Sequence, residues 1–304
     1  MQGNLLGKST MKYDLLEIHE IDVKNKLMEY ILVAEMFKNE NLLIDDMIKK
    51  SDYFLSFVHL WSAIEINLDD IKRTLKEYAE NHQGTLKSSR DKKIYFSSQS
   101  EIMSRVNNFL SSANLFLSFL EKNTTNKTLR DEWNIKKREL HRQNINYRLC
   151  YELRNHSQHN GLPISGIEVN NIDSQEDVYG VIYLEKNSFA DDDVSTKKLR
   201  EYINEYKSDV DLILAFESYT DSIAELFQYF ITQHQEYYDN ICNFYDSYSK
   251  ITLEDPNGSL VYVSNKVPKE RILLEMTRLR LAKFKYVIEV IGHVNIKVSR
   301  IRSQ

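Results

Sequence analysis

Only 8 glycines and 3 prolines interrupt 304 residues, so this chain has few points at which a helix is obliged to stop. The long stretches between them carry apolar residues three or four apart, the period of an amphipathic helix. The first such stretch is residues 11–38, with Leu15, Ile18, Val23, Leu27, Ile31 and Met36. A second, residues 41–81, carries the stripe Phe54, Phe57, Trp61, Ile64, Leu68, Ile71 and Leu75, and ends in the polar segment around Gly84. A third helix is predicted from Ser98, where Glu101 three residues on makes a capping box ahead of Ile102, Val106 and Phe109. The fourth is predicted over 128–160, with Trp133, Leu140, Ile145, Leu149 and Leu153 on one side and Gly161 and Pro163 as its stop.

The period then changes. ISGIEVN and VYGVIYLEK gather β-formers around the polar NIDSQED, which predicts a two-stranded hairpin near 162–186. An acidic loop at Asp191–Asp193 precedes a long predicted helix, 195–248, whose stripe includes Leu199, Phe216, Ile223, Phe227 and Phe230. Beyond a turn at Pro256-Asn257-Gly258 come a strand, SLVYVS, a helix from Pro268 to about 291, and HVNIKVSRI, which alternates like an edge strand. The expected fold class is therefore mainly α: an antiparallel helical bundle with a small β-hairpin and a short strand-helix-strand C-terminal part. Residues 1–250 are expected to form the helical domain, and 251–304 a tail or a part of the same body. The tyrosines of the last long helix are assigned to core packing and a helix–helix dimer interface rather than to base stacking.

Two cysteines far apart, Cys150 and Cys242, make no metal-ligand spacing and point to a reducing compartment, hence the cytoplasm. The first residues lack the apolar segment of a signal peptide, and no apolar run approaches the ~20 residues of a membrane span. A formal net charge of −5 carries no global signature of nucleic-acid binding, so any positive surface has to be local.

That local excess lies on residues 127–160, where Lys136, Lys137, Arg138, Arg142, Arg148 and Arg154 outweigh the acidic residues. It suits phosphate binding, and equally a solvated helical face with intrahelical ion pairs. At the end of the same run stands YELRNHSQHNGLP, residues 151–163, which puts Arg154, Asn155, His156 and His159 on two turns of helix. No other arginine here has a histidine at that spacing. Arg154-Asn155 and His159 resemble the R-N-x-x-x-H motif of the HEPN superfamily. The resemblance covers one motif and a helical body of suitable size. It implies an HEPN-like fold, a homodimer with a composite site, ribonuclease activity and a toxin or anti-phage-defence role, with an antitoxin or regulatory protein as a possible partner.

Residues five apart on a helix point about 140° away from each other, so Arg154 and His159 face differently, and two copies meeting at a symmetry axis would bring both to one groove. RNA supplies its own nucleophile, the 2′-hydroxyl. His159 can move a proton near neutral pH as acid or base, Arg154 can hold two phosphate oxygens, and Asn155 can orient the histidine or the phosphate. Arg148, Arg142 and Lys137 are the expected RNA-phosphate contacts. No metal and no cofactor are expected. His156 falls on the stripe of Leu149 and Leu153 and is expected to be packed, and Glu65 to lie at the edge of its own stripe. The competing expectation is a catalytically silent helical dimer that binds RNA or a protein. A nucleotide-handling enzyme ranks last, because no glycine-rich phosphate loop is present.

Overall fold

The computed structural model of the chain describes residues 12–22, 27–81, 89–124, 126–160, 164–171, 178–186, 194–249, 259–264 and 275–303. The elements run β1 (Lys12–Asp22), β2 (Leu27–Phe37), α1 (Lys38–Asn81), α2 (Ser89–Asn123), α3 (Lys127–Gln143), α4 (Ile145–Asn160), β3 (Gly166–Asn171) and β4 (Val178–Leu184). They continue with α5 (Val194–Asn204), β5 (Val210–Asp211), α6 (Leu212–Gln233), α7 (Gln235–Tyr248), β6 (Ser259–Ser264), β7 (Glu275–Arg280) and α8 (Leu281–Arg302). The fold is mainly α, as the sequence predicts. The segments around Gly84, at 161–163, at 191–193, at 256–258 and at Pro268 lie outside the described residues.

The chain divides into two units. The first comprises residues 1–58 and 234–293. Its sheet is antiparallel, in the order β2-β1-β6-β7, with β1 paired to β2 on one side and to β6 on the other. Residues 12–22 and 27–37 are thus paired strands and not the helix that the spacing over 11–38 predicts. The register shifts between Leu15 and Leu16 and again between Glu20 and Asp22, and such bulges break the strict alternation by which strands are recognised. The helical residues of this unit pack on one another. Phe244 stacks on Phe284 with ring centroids 5.2 Å apart, Phe54 meets Tyr238 edge-on, and the Lys283 ammonium pairs with Asp52.

The second unit comprises residues 59–233 and 294–304. Buried residues cover a broad side of α6, from Leu212 and Ala215 through Tyr219 and Ser222 to Phe230 and Ile231, and α2, α3 and α4 pack on this helix. Trp61, Phe116 and Phe227 meet pairwise at 5.0–5.9 Å, and Phe109 packs on Phe216 at 4.9 Å. A three-stranded antiparallel sheet, β3-β4-β5, also packs on α6. Gly180 of β4 lies so close to α1 that a Cβ there would stand 3.0 Å from the Leu75 carbonyl oxygen, and glycine permits that approach.

Four further boundaries differ from the sequence reading. α2 begins at Ser89, nine positions before Ser98. The run 128–160 is two helices, broken at Asn144. The run 195–248 is three, interrupted by β5 and by His234. The C-terminal part is strand, strand, helix: HVNIKVSRI completes α8, with Val294 and Val298 buried and Ile296 52% exposed. The valines are four apart, so they satisfy a helix as well as an alternating strand, and burial on one helical face decides between the two.

Candidate active site

α4 starts where the Asn144 side chain caps it. Its Oδ1 accepts from the backbone N–H of Asn146 at 2.9 Å and of Tyr147 at 3.2 Å. From there the helix turns Tyr147, Leu149, Cys150, Leu153 and His156 inward, and it packs against α2, α3, α5 and α6. His156 is buried, as its place on the stripe predicts. The Cys150 thiol points at the Ala215 carbonyl, and burial pushes its pKa well up.

Arg154 stands beside this inward face, half-buried. One Nη donates to Asn155 Oδ1 at 3.0 Å, and its Nε is buried with no hydrogen-bond partner among the described residues. Nor does any carboxylate among them pair with it. Its charge acts on the buried Tyr219 phenol. Burial raises the pKa of that phenol well above the usual range, Tyr147, Cys150 and Tyr151 add to the rise, and Arg154 opposes it. Asn155 therefore orients the guanidinium. Its expected role toward His159 has no described counterpart, because the His159 side chain lies outside the described residues. The His159 backbone is in the last turn of α4. The structure thus brings Arg154 and Asn155 together and places His159 one and a half turns further on.

The three expected phosphate contacts fare differently. Arg148 is 19% exposed and gives Glu205 two hydrogen bonds, at 3.1 and 2.7 Å, while its guanidinium lies over the Tyr202 ring at 5.0 Å. Lys137 pairs with Glu121 at 2.7 Å. Both are engaged with carboxylates within the protein. Arg142 is exposed and has no ionic partner among the described residues.

Arg142 belongs instead to a group that sequence reading did not single out. With Ile135, Arg138 and His141 it lines a cavity of about 430 Å³ on α3. The His141 ring meets Tyr202 edge-on at 6.2 Å. Burial lowers its pKa below the usual value, with the Arg148 and Lys198 charges adding to this and Glu152 opposing. The available signal was the spacing itself, since Arg138, His141 and Arg142 are three and four apart and share one helical face.

Among the described residues no three or more His, Cys, Asp or Glu side chains gather as they would around a metal, and no helix is long and apolar enough to cross a membrane. Set against protein-family models, curated proteins and solved structures, the chain matches none of them.

Proposed function

We propose that this chain is a metal-independent endoribonuclease whose chemical core is Arg154, Asn155 and His159. The observation that carries the reading is the state of Arg154. It is half-buried and held by Asn155 Oδ1, has no carboxylate partner among the described residues, and stands five residues before a histidine at the end of the same helix. A partly desolvated guanidinium with donors to spare is suited to an oxyanion, and a phosphate in transit is the strongest such anion RNA offers.

The reaction needs no external nucleophile. The RNA 2′-oxygen forms a bond to the adjacent phosphorus as the bond from phosphorus to the 5′-oxygen breaks, leaving a 2′,3′-cyclic phosphate and a 5′-hydroxyl. One proton leaves the 2′-hydroxyl and one reaches the departing oxygen, and His159 carries one of these transfers. Arg154 offsets the charge that builds on the non-bridging oxygens. A homodimer with a composite site, tRNA among the substrates, a toxin or anti-phage role and a controlling antitoxin follow from the resemblance to the HEPN superfamily and are part of the same proposal.

The test is cleavage of total RNA and bulk tRNA by the purified chain in EDTA, beside His159→Ala and Arg154→Ala. Defined cuts with 2′,3′-cyclic phosphate ends, lost in both variants, are expected. No cleavage at high enzyme concentration would move the assignment to a silent helical module that binds RNA or a protein.

A further inference from the structure

We propose that the α3 groove lined by Ile135, Arg138, His141 and Arg142 binds the phosphodiester backbone of RNA, with Arg138 and Arg142 each holding a phosphate. The inference rests on the ribonuclease reading for the identity of the polymer, but on its own residues for the site. Arg138 and Arg142 are exposed, and four helical positions separate them by about 6 Å along the axis. Both have no carboxylate partner among the described residues, whereas the neighbouring Lys137 and Arg148 are paired with Glu121 and Glu205. Two cations free of carboxylates among the described residues therefore lie on the groove. Ile135, 50% exposed, gives it an apolar wall against which a sugar can lie.

His141 makes the floor responsive to an anion. The groups facing it are Arg138 and Arg142 on its own helix, Arg148 and Glu152 on α4, and Lys198 and Tyr202 on α5. Four of these six are cationic and one is anionic. A phosphate entering the groove adds negative charge next to the imidazole and stabilises its protonated form, so the histidine that burial and cations hold down should rise when RNA binds. Tyr202 has one face covered by Arg148. Recognition rests on the phosphates, and it is independent of sequence and dependent on salt.

The experiment measures binding separately from cutting. Fluorescein-labelled oligouridylate is titrated with the full-length chain carrying His159→Ala, followed by anisotropy over a series of salt concentrations. Adding Arg138→Gln and Arg142→Gln is expected to weaken binding about 10-fold or more and to lower the magnitude of the salt slope by roughly 1.4, two phosphate contacts on a single strand. Both arginines are exposed, and an unchanged circular dichroism spectrum checks the fold. A control with the same charge change off the groove, Lys76→Gln with Lys127→Gln, is expected to bind like its parent. In a parallel NMR titration the His141 pKa should rise on adding RNA.

Unchanged affinity and slope in the groove variant would overturn the proposal. So would equal weakening in the control, or binding of polyglutamate without binding of RNA. The two readings fail separately. Groove-dependent binding by a chain that cuts no RNA keeps the groove and removes the ribonuclease. Cleavage lost in His159→Ala, with groove variants that bind normally, does the reverse.

Discussion

Asn144 and Ser222 are joined by a hydrogen bond of 2.9 Å from the asparagine amide to the serine hydroxyl, and Ser222 is buried on α6. The same amide also donates to Ser218 Oγ at 3.1 Å, while Oδ1 caps α4. One residue thus closes α3 with its backbone N–H on the Leu140 carbonyl, and its side chain starts α4 and fixes the junction to α6. Asn144→Ala should lower stability by about 1–2 kcal/mol through the lost cap and the lost anchor. Urea unfolding followed by tryptophan fluorescence is the measurement, since Trp61 and Trp133 both lie in the second unit. Asn144→Asp, which retains the capping oxygen but not the donor, should fall between the two. A wild-type midpoint for the alanine variant would show that the junction is held elsewhere.

Phe227 is fully buried against Trp61 and Phe116. Truncation to alanine should cost about 3–5 kcal/mol, the range for large aromatic deletions in a packed core. The same unfolding curve would read it, and a cost under ~1 kcal/mol would mean that this cluster is not a rigid part of the core.

Several phenols ionise with more difficulty in the folded chain than in the unfolded one. Burial is the first cause in each case: Tyr53 is pushed up to about 12, and Tyr147, Tyr206 and Tyr219 are raised as well. In the unfolded chain a tyrosine loses its proton near ~10. Above that value the unfolded chain has released protons that the folded chain still holds, so stability is intact below about pH 10 and declines as pH rises through 12. Alkaline unfolding should therefore begin above about pH 10, and Tyr219→Phe should delay it. Smooth tyrosinate absorbance near ~10 with tryptophan emission unchanged would contradict this.

The two thiols should differ in reactivity. Cys150 is fully buried, whereas Cys242 is half-buried, and desolvation raises the pKa of both. A thiol reagent at neutral pH should modify Cys242 first, and Cys150 only as the second unit unfolds. Mass spectrometry of peptides from the native protein distinguishes the two. Equal rates would mean that α4 opens far more readily than its packing allows.

Arg154→Lys tests whether the guanidinium fork matters beyond its charge. Under the ribonuclease reading it should lower kcat by about 100-fold, because an ammonium cannot hold two phosphate oxygens in a fixed plane. Full activity in the lysine variant would reduce Arg154 to a source of positive potential.

Much of this fold is legible in the sequence wherever partners are local. Each of the seven stripe residues from Phe54 to Leu75 is buried, and the hairpin β3–β4 pairs Ile167 with Ile182 inside the predicted limits. The break at Asn144 is not legible. Trp133, Leu140 and Tyr147 follow at seven-residue intervals straight through it, and what marks the break is a pair of serines 74 and 78 residues away. The first hairpin fails to show for a related reason: its bulges disturb the alternation, and one of the neighbours of β1 lies at the far end of the chain. For the candidate site, the Arg154–Asn155 pair could be read from a motif. The commitment of Arg148 to Glu205 depends on how α5 returns to α4, which helical periodicity does not encode.

That distant neighbour has a consequence for how the protein is made. Leu16 faces Leu32 on one side and Val261 on the other, so a ribosome supplies the second partner 229 residues after the first. During that interval β1 presents a bare row of amide and carbonyl groups, the kind of edge on which nascent chains join one another. Closing so wide a loop adds little entropy beyond a narrower one, and the exposure is therefore mainly a matter of time. Slower translation, or a shortage of helpers that shield strand edges, should lower the yield of folded first unit more than that of the second.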